Sequence, residues 1–186
     1  MKINIKEIGN NSVLAGTDNG RRVLAKLLTL AGQEPGAVET LYLDFGQVKV
    51  ATASFLREAV FGFRDAVRRR KSNYYPLIAN AEPLVLDELA VLVKALGEVL
   101  PVCTLDDSGE AEDLRLIGEL EPKQKITFDL VTARGECDAA ELMREQADSV
   151  GQTAWNNRFA GLAGLGLLVE LSQGRSKRYK TLLARS

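Results

Sequence analysis

The sequence predicts an α/β domain with a mixed sheet, followed by a small α+β domain, and three observations carry that expectation. Between residues 2 and 105, apolar runs of strand length alternate with stretches whose apolar residues recur every three or four positions. An acidic, turn-rich segment, DDSGEAED at 106 to 113, then interrupts the pattern. Beyond it the charge balance reverses: residues 1 to 121 hold 14 Lys and Arg against 18 Asp and Glu, whereas Gly151 to Ser186 hold six against one. The expected boundaries are 1–112 for the first domain, 113–121 for a linker and 122–186 for the second.

Taken in order, Ile3, Ile5 and Ile8 run through INIKEI, Gly9-Asn10-Asn11 offers a turn, and SVLAG follows, so residues 2 to 15 read as a β-hairpin. Asp18 or Asn19 caps a helix whose buried side is Val23, Leu24, Leu27, Leu28 and Leu30, with Gly32 at its end. Leu41 to Phe45 is a near-continuous apolar run, as a strand covered on both faces requires. Ser54 is the expected cap of the next helix, where Phe55, Leu56, Ala59, Val60, Phe63 and Val67 form the inward face and the cations of Arg68 to Lys71 suit the C-terminus. Leu77 to Ala79 is a strand. Pro83 opens a helix with Val85, Leu89, Leu92, Val93 and Leu96 inward and Gly97 as its stop, and Val102 to Leu105 is the next strand. LRLIGEL, after the acidic loop, reads as a final strand or a connector.

The second domain begins with Pro122 at the start of a helix through Arg134, stopped by Gly135. Asp138, with Glu141 three residues on, is the signature of a capped helix with Leu142 and Met143 inward. Ala147 to Gly151 is the expected turn. From Gln152 a second helix places Trp155, Phe159 and Leu162 on one apolar stripe, so Thr153, Asn156, Asn157 and Ala160 share the outward face. Gly164 and Gly166 close it, Leu167 to Leu171 is a strand, SQGRSKR turns, and Tyr179 to Leu183 returns. The Gly161, Gly164, Gly166 cluster follows no strand as a nucleotide-binding loop would, and reads as close packing and a helix stop.

TAWNNRFAGLAGLGLLVELSQGRSKRY resembles the recognition helix and wing of bacterial winged-helix regulators, through Asn-Asn-Arg, the closing Gly-Leu-Leu and the Gly-Arg-Ser-Lys-Arg-Tyr wing. The resemblance implies a helix-turn-helix that binds double-stranded DNA. Thr153, Asn156, Asn157 and Arg158 are the candidates on the helix, because an amide offers both a donor and an acceptor to a base edge. Arg175, Lys177 and Arg178 are the candidates for phosphate on the wing, where a solvated hairpin tip is the plain alternative. Trp155, on the stripe with Phe159, reads as a core anchor rather than a base-stacking residue. A second resemblance lies at LDFGQVKVATASFLRE, residues 43 to 58, which is similar to the strand, loop and helix start of STAS domains, the fold of anti-sigma-factor antagonists. Asp44 and Val48 match that pattern, and the Ser54-Phe55-Leu56-Arg57-Glu58 start matches STAS-like domains of unknown function. The phosphoacceptor position of the antagonists holds Ala53 here. Ser54 is the candidate regulatory hydroxyl, with a plain helix cap as the alternative reading.

Composition narrows the chemistry. The chain has no histidine and two distant cysteines, Cys103 and Cys137, which leaves no Ser-His or Cys-His pair and few routes to a metal site. No enzyme activity, metal or cofactor is expected, and reduced thiols fit a cytoplasmic protein. No apolar run reaches the length of a membrane span and MKINIKEIGNN lacks a signal-like apolar core, so no membrane partner is expected. The expected function is that of a cytoplasmic DNA-binding regulator, with the STAS-like domain sensing, binding a regulatory protein or pairing two copies into a homodimer. The alternative is a protein-interaction switch in which the winged helix docks protein and not DNA.

Overall fold

The apolar alternation at the N-terminus lasts only three residues. Lys2–Asn4 is a strand (β1), but the Asn4 side chain accepts a hydrogen bond from the Glu7 N–H, and the chain coils into a short helix, Ile5–Gly9 (α1), closed by Asn10 in the left-handed region at φ 56°. Local side-chain capping thus wins over strand pairing, and the hairpin expected over residues 2 to 15 does not form. Val13–Leu14 (β2) pairs instead with the distant Val50–Ala51 (β4), in a two-stranded parallel sheet. The structure, a computed structural model, describes residues 1–146, 151–173 and 176–182. It is mixed α/β and divides into two units, Met1–Glu119 and Leu120–Ser186.

In the first unit, Thr17–Leu30 (α2) is capped at Gly16, two or three residues ahead of the expected caps, and buries Val23 and Leu27. Glu39–Asp44 (β3) follows. A continuous helical stretch then runs through Ala53–Leu56 (α3), a π-helical segment Arg57–Phe61, and Gly62–Arg69 (α4). Tyr74–Ala79 (β5), Pro83–Leu96 (α5), Leu100–Leu105 (β6) and Ala111–Ile117 (β7) complete the unit. The sheet order is β1-β3-β5-β6-β7, parallel throughout except for β7, which returns antiparallel to β6. Leu41, Leu43, Ile78, Leu100 and Val102, on one face of that sheet, join Val23, Leu27, Phe55, Leu56, Phe63, Val67, Val85, Leu89 and Val93 from the helices in a single buried core.

Two expectations change here. The stretch 113 to 121 contains most of β7, because Arg115, Leu116 and Ile117 pair with Val102, Pro101 and Leu100; only residues past the strand are left to connect the units. The cap before α3 is Thr52, whose hydroxyl accepts from the Phe55 N–H, so Ser54 already lies inside the helix. Thr52 keeps the extended conformation a cap requires, at ψ 154°.

The second unit comprises Pro122–Arg134 (α6), Glu136–Cys137 (β8), Ala139–Glu145 (α7), Gln152–Gly164 (α8), Leu168–Gln173 (β9) and Ser176–Thr181 (β10). The strand order is β8-β10-β9, antiparallel throughout. Its interior holds Phe128, Val131, Leu142, Trp155, Phe159, Leu162, Leu167, Leu168, Val169 and Tyr179, all buried. Met143, expected inward beside Leu142, is exposed, since the helix turns by about 100° between neighbours and only Leu142 faces the core. Of the turn expected over Ala147 to Gly151, residues 147 to 150 lie outside the described residues; of the turn expected over SQGRSKR, Ser172 and Gln173 belong to β9 and Ser176 to Arg178 to β10, and 174 and 175 lie outside the described residues.

Candidate functional site

Asp138 sits where β8 passes into α7, and it does two things at once. One carboxylate oxygen accepts from the N–H groups of Ala140 and Glu141, both at 2.8 Å, while the Glu141 side chain reaches back to the Asp138 N–H at 3.0 Å, a complete capping box. Tyr179 pairs with Cys137 and Lys180 with Glu136 across β10 and β8, which carries Arg178 towards the Asp138 end of the strand. Its guanidinium donates to Glu136 at 2.5 Å, to Glu141 at 2.9 and 3.2 Å, and to Asp138 at 3.4 Å. Donating to Glu141 and Glu136 raises the proton affinity of Arg178, and the bond that Glu141 accepts from Arg178, with that from the Asp138 backbone N–H, holds the Glu141 carboxyl below its ordinary range. Arg178 therefore clamps the hairpin to the N-terminus of α7.

Helix α8 presents the other part of the surface. Trp155, Phe159 and Leu162 recur at spacings of four and three and are buried; Phe159 stacks on Tyr179 with ring centroids 4.5 Å apart and planes 4° from parallel. Burial, followed by the nearby Glu170 carboxylate, pushes the Tyr179 phenol up to about 12, and its hydroxyl donates to Glu170 at 3.3 Å. With its inner face fixed in this way, α8 turns Gln152, Thr153, Asn156, Asn157 and Ala160 to solvent. Neither asparagine amide hydrogen-bonds to another described residue. Gln152, Asn156, Asn157 and Ala160, with Asp138 to Ala140 at the start of α7 and Lys177 and Tyr179 of β10, line an open concavity of ≈ 530 Å³.

Of the residues expected to meet DNA, Thr153, Asn156 and Asn157 are thus together on one exposed face, and Lys177 stands at its rim, paired with Glu170 at 2.8 Å but still 55% exposed. Arg158 is drawn aside: its guanidinium lies over the Trp155 ring, 4.6 Å from the centroid. Arg178 does not sit at a phosphate-facing tip; three carboxylates occupy it. Arg175 lies outside the described residues. Gln152 and Tyr179 join the surface without having been expected there. Gln152 was readable, since it precedes Asn156 by four positions on the same helix face.

The Ser54 hydroxyl is half-buried in the first unit, 3.1 Å from that of Thr52. Thr52 Oγ1 already accepts from the Gly16 and Phe55 N–H groups at 3.2 and 3.4 Å, which uses both its lone pairs and makes it the donor to Ser54. Nearby, at the end of β3, Asp44 accepts from the Gly46 N–H and the Asn80 amide, both at 3.0 Å, and Asn80 in turn accepts from the Leu105 N–H at 2.8 Å. This acidic residue ties three strand ends together.

Cys103 and Cys137 are free and buried, and burial pushes both thiols up to about 11, so each is protonated at neutral pH. Among the described residues no cluster of His, Cys, Asp or Glu could hold a metal ion, and no helix is long and apolar enough to cross a membrane. No protein-family model, curated protein or solved structure matches the chain.

Proposed function

We propose that the chain is a DNA-binding regulator: the second unit acts as a winged helix that lays α8 in the major groove of duplex DNA, and the first unit is a STAS-like module that binds a regulatory protein or pairs two copies of the chain. The observation that carries this reading is the exposed face of α8, where Gln152, Thr153, Asn156 and Asn157 offer hydrogen-bonding groups with no partner among the described residues, beside Lys177 of the hairpin. A face meant only to be solvated is better served by Lys and Glu, and two successive asparagines weaken a helix unless their amides are used elsewhere. The order helix, strand, helix, helix, strand, strand and the three-stranded antiparallel sheet support the winged-helix reading. For the first unit, support comes from the parallel strands flanking a capped helix start at Thr52-Ala53-Ser54.

Titration of the full chain against fluorescent duplexes at two salt concentrations tests the proposal. Binding should weaken steeply with salt, and Lys177→Ala should lower the salt slope by about one unit while weakening all sequences alike. Asn157→Ala should leave the slope unchanged and remove about 1–3 kcal/mol of discrimination at a specific site. A chain that binds no duplex at low salt would leave the α8 face as a protein-docking surface instead.

A further inference from the structure

Resting on the DNA-binding reading, we infer that the α8 face selects duplex rich in A·T base pairs, read from the major groove through adenine N6 and N7 and the thymine methyl group. Sequence discrimination depends on which donors, acceptors and methyl groups a helix presents. Guanine is read above all by a cation, with Arg or Lys donating to O6 and N7 together, whereas adenine needs a donor and an acceptor side by side, as in Asn or Gln, and thymine needs an apolar contact for its methyl. On α8 the exposed groups are three amides, Gln152, Asn156 and Asn157, and two methyl-bearing side chains, Thr153 and Ala160.

Among the described residues, the cations that would turn this surface towards guanine are engaged elsewhere or stand at its rim. Arg158, the single basic residue of α8, stacks over Trp155 on the flank of the helix. Arg178 is held by Glu136, Asp138 and Glu141. Lys177 comes from the hairpin and stands at the rim of the concavity, a position suited to phosphate rather than to a base edge. Asp138, the carboxylate that lines the concavity, is paired with Arg178 and accepts from the N–H groups that open α7, which weakens the charge it turns to the duplex. What remains on the reading surface is neutral, with matched donors and acceptors, and that is the chemistry of an adenine-thymine edge.

The full chain is to be incubated with a random-sequence duplex pool, the bound fraction sequenced, and the preferred duplex remade with 7-deazaadenine, which lacks N7, or with deoxyuridine, which lacks the thymine methyl; neither change alters the minor-groove edge. The expected result is an A·T core in the selected sequences, with about tenfold weaker binding on 7-deazaadenine substitution and a smaller loss with deoxyuridine. Asn156→Ala and Asn157→Ala, both at exposed positions, should abolish the 7-deazaadenine effect while the circular dichroism spectrum is unchanged. A G·C core, binding without sequence enrichment, or an A·T preference indifferent to 7-deazaadenine would each overturn the inference and leave DNA binding intact. Absence of binding to any duplex would overturn the DNA-binding reading and this inference with it.

Discussion

Arg178 shows how much of a residue's role is set by what lies across a strand from it. Its three carboxylate partners are 37 to 42 positions away in the chain. Nothing in GRSKRY signals them, so the sequence reads a basic wing tip where the fold builds an internal clamp. Arg178→Ala should lower the melting temperature of the second unit, measured by circular dichroism, because it leaves three neighbouring carboxylates without their shared cation; Arg178→Lys should rescue little, since one ammonium cannot span them in the guanidinium's geometry. A pH dependence follows with a definite sign. Because Glu141 is held below its ordinary range in the fold, it contributes stability that is fully present above the unfolded carboxyl's pKa and is lost as the pH falls through the folded value. Denaturant melts of Glu141→Gln should therefore change less between neutral and acid pH than those of the unsubstituted chain, and equal slopes would refute the linkage. Trp155→Ala should cost about 3–5 kcal/mol, as a large buried ring is replaced by a cavity. The outward amides of α8 and the inward Trp155, Phe159 and Leu162 were legible from spacing alone, because a helical period fixes both faces at once.

Helices with strong start and stop residues were equally legible. Pro83 and Gly97 bound α5, Pro122 and Gly135 bound α6, and the Asp138–Glu141 capping box begins α7. Sequence reasoning failed where a short polar side chain decides between two local conformations: Asn4 caps a helix in place of the expected hairpin, and Thr52 takes the cap expected of Ser54. The π-helical segment Arg57–Phe61 was also hidden, since it inserts its wider turn without a glycine or proline to mark it. Helix α2 packs closely against this stretch. A methyl group added at Gly20 of α2 would lie 2.8 Å from both the Phe55 carbonyl oxygen and the Glu58 Cβ, so the two helices approach where only hydrogen fits. Gly20→Ala should destabilise the first unit by about 1–3 kcal/mol despite its better helix propensity. Chemical denaturation with fluorescence detection would measure it, and a stabilised variant would mean that the helices can move apart freely.

At the scale of the molecule, the reversal of charge and the acidic segment pointed to two parts of the chain, yet β7 was only half-recognised. As an edge strand it carries exposed charges and lacks the unbroken apolar run that marks the central strand β5. With β7 in the sheet, Glu119 and Glu121 are the exposed positions that lead from one unit to the next. Limited digestion with a glutamate-specific protease should yield a fragment ending at one of them, identified by mass, and a digest with no such fragment would argue against separable units.

The outer side of β7 has no partner strand among the described residues, and an unpaired edge of seven residues is a template on which further chains can add. The strand is not a flat template. Asp113 takes a left-handed conformation at φ 46°, the register against β6 shifts between Val102 and Thr104, and Glu112, Asp113 and Arg115 are exposed along it. A kinked, charged edge cannot present the regular row of N–H and C=O groups on which a polymerising sheet grows. This irregularity is a safeguard against filaments at an edge of the sheet.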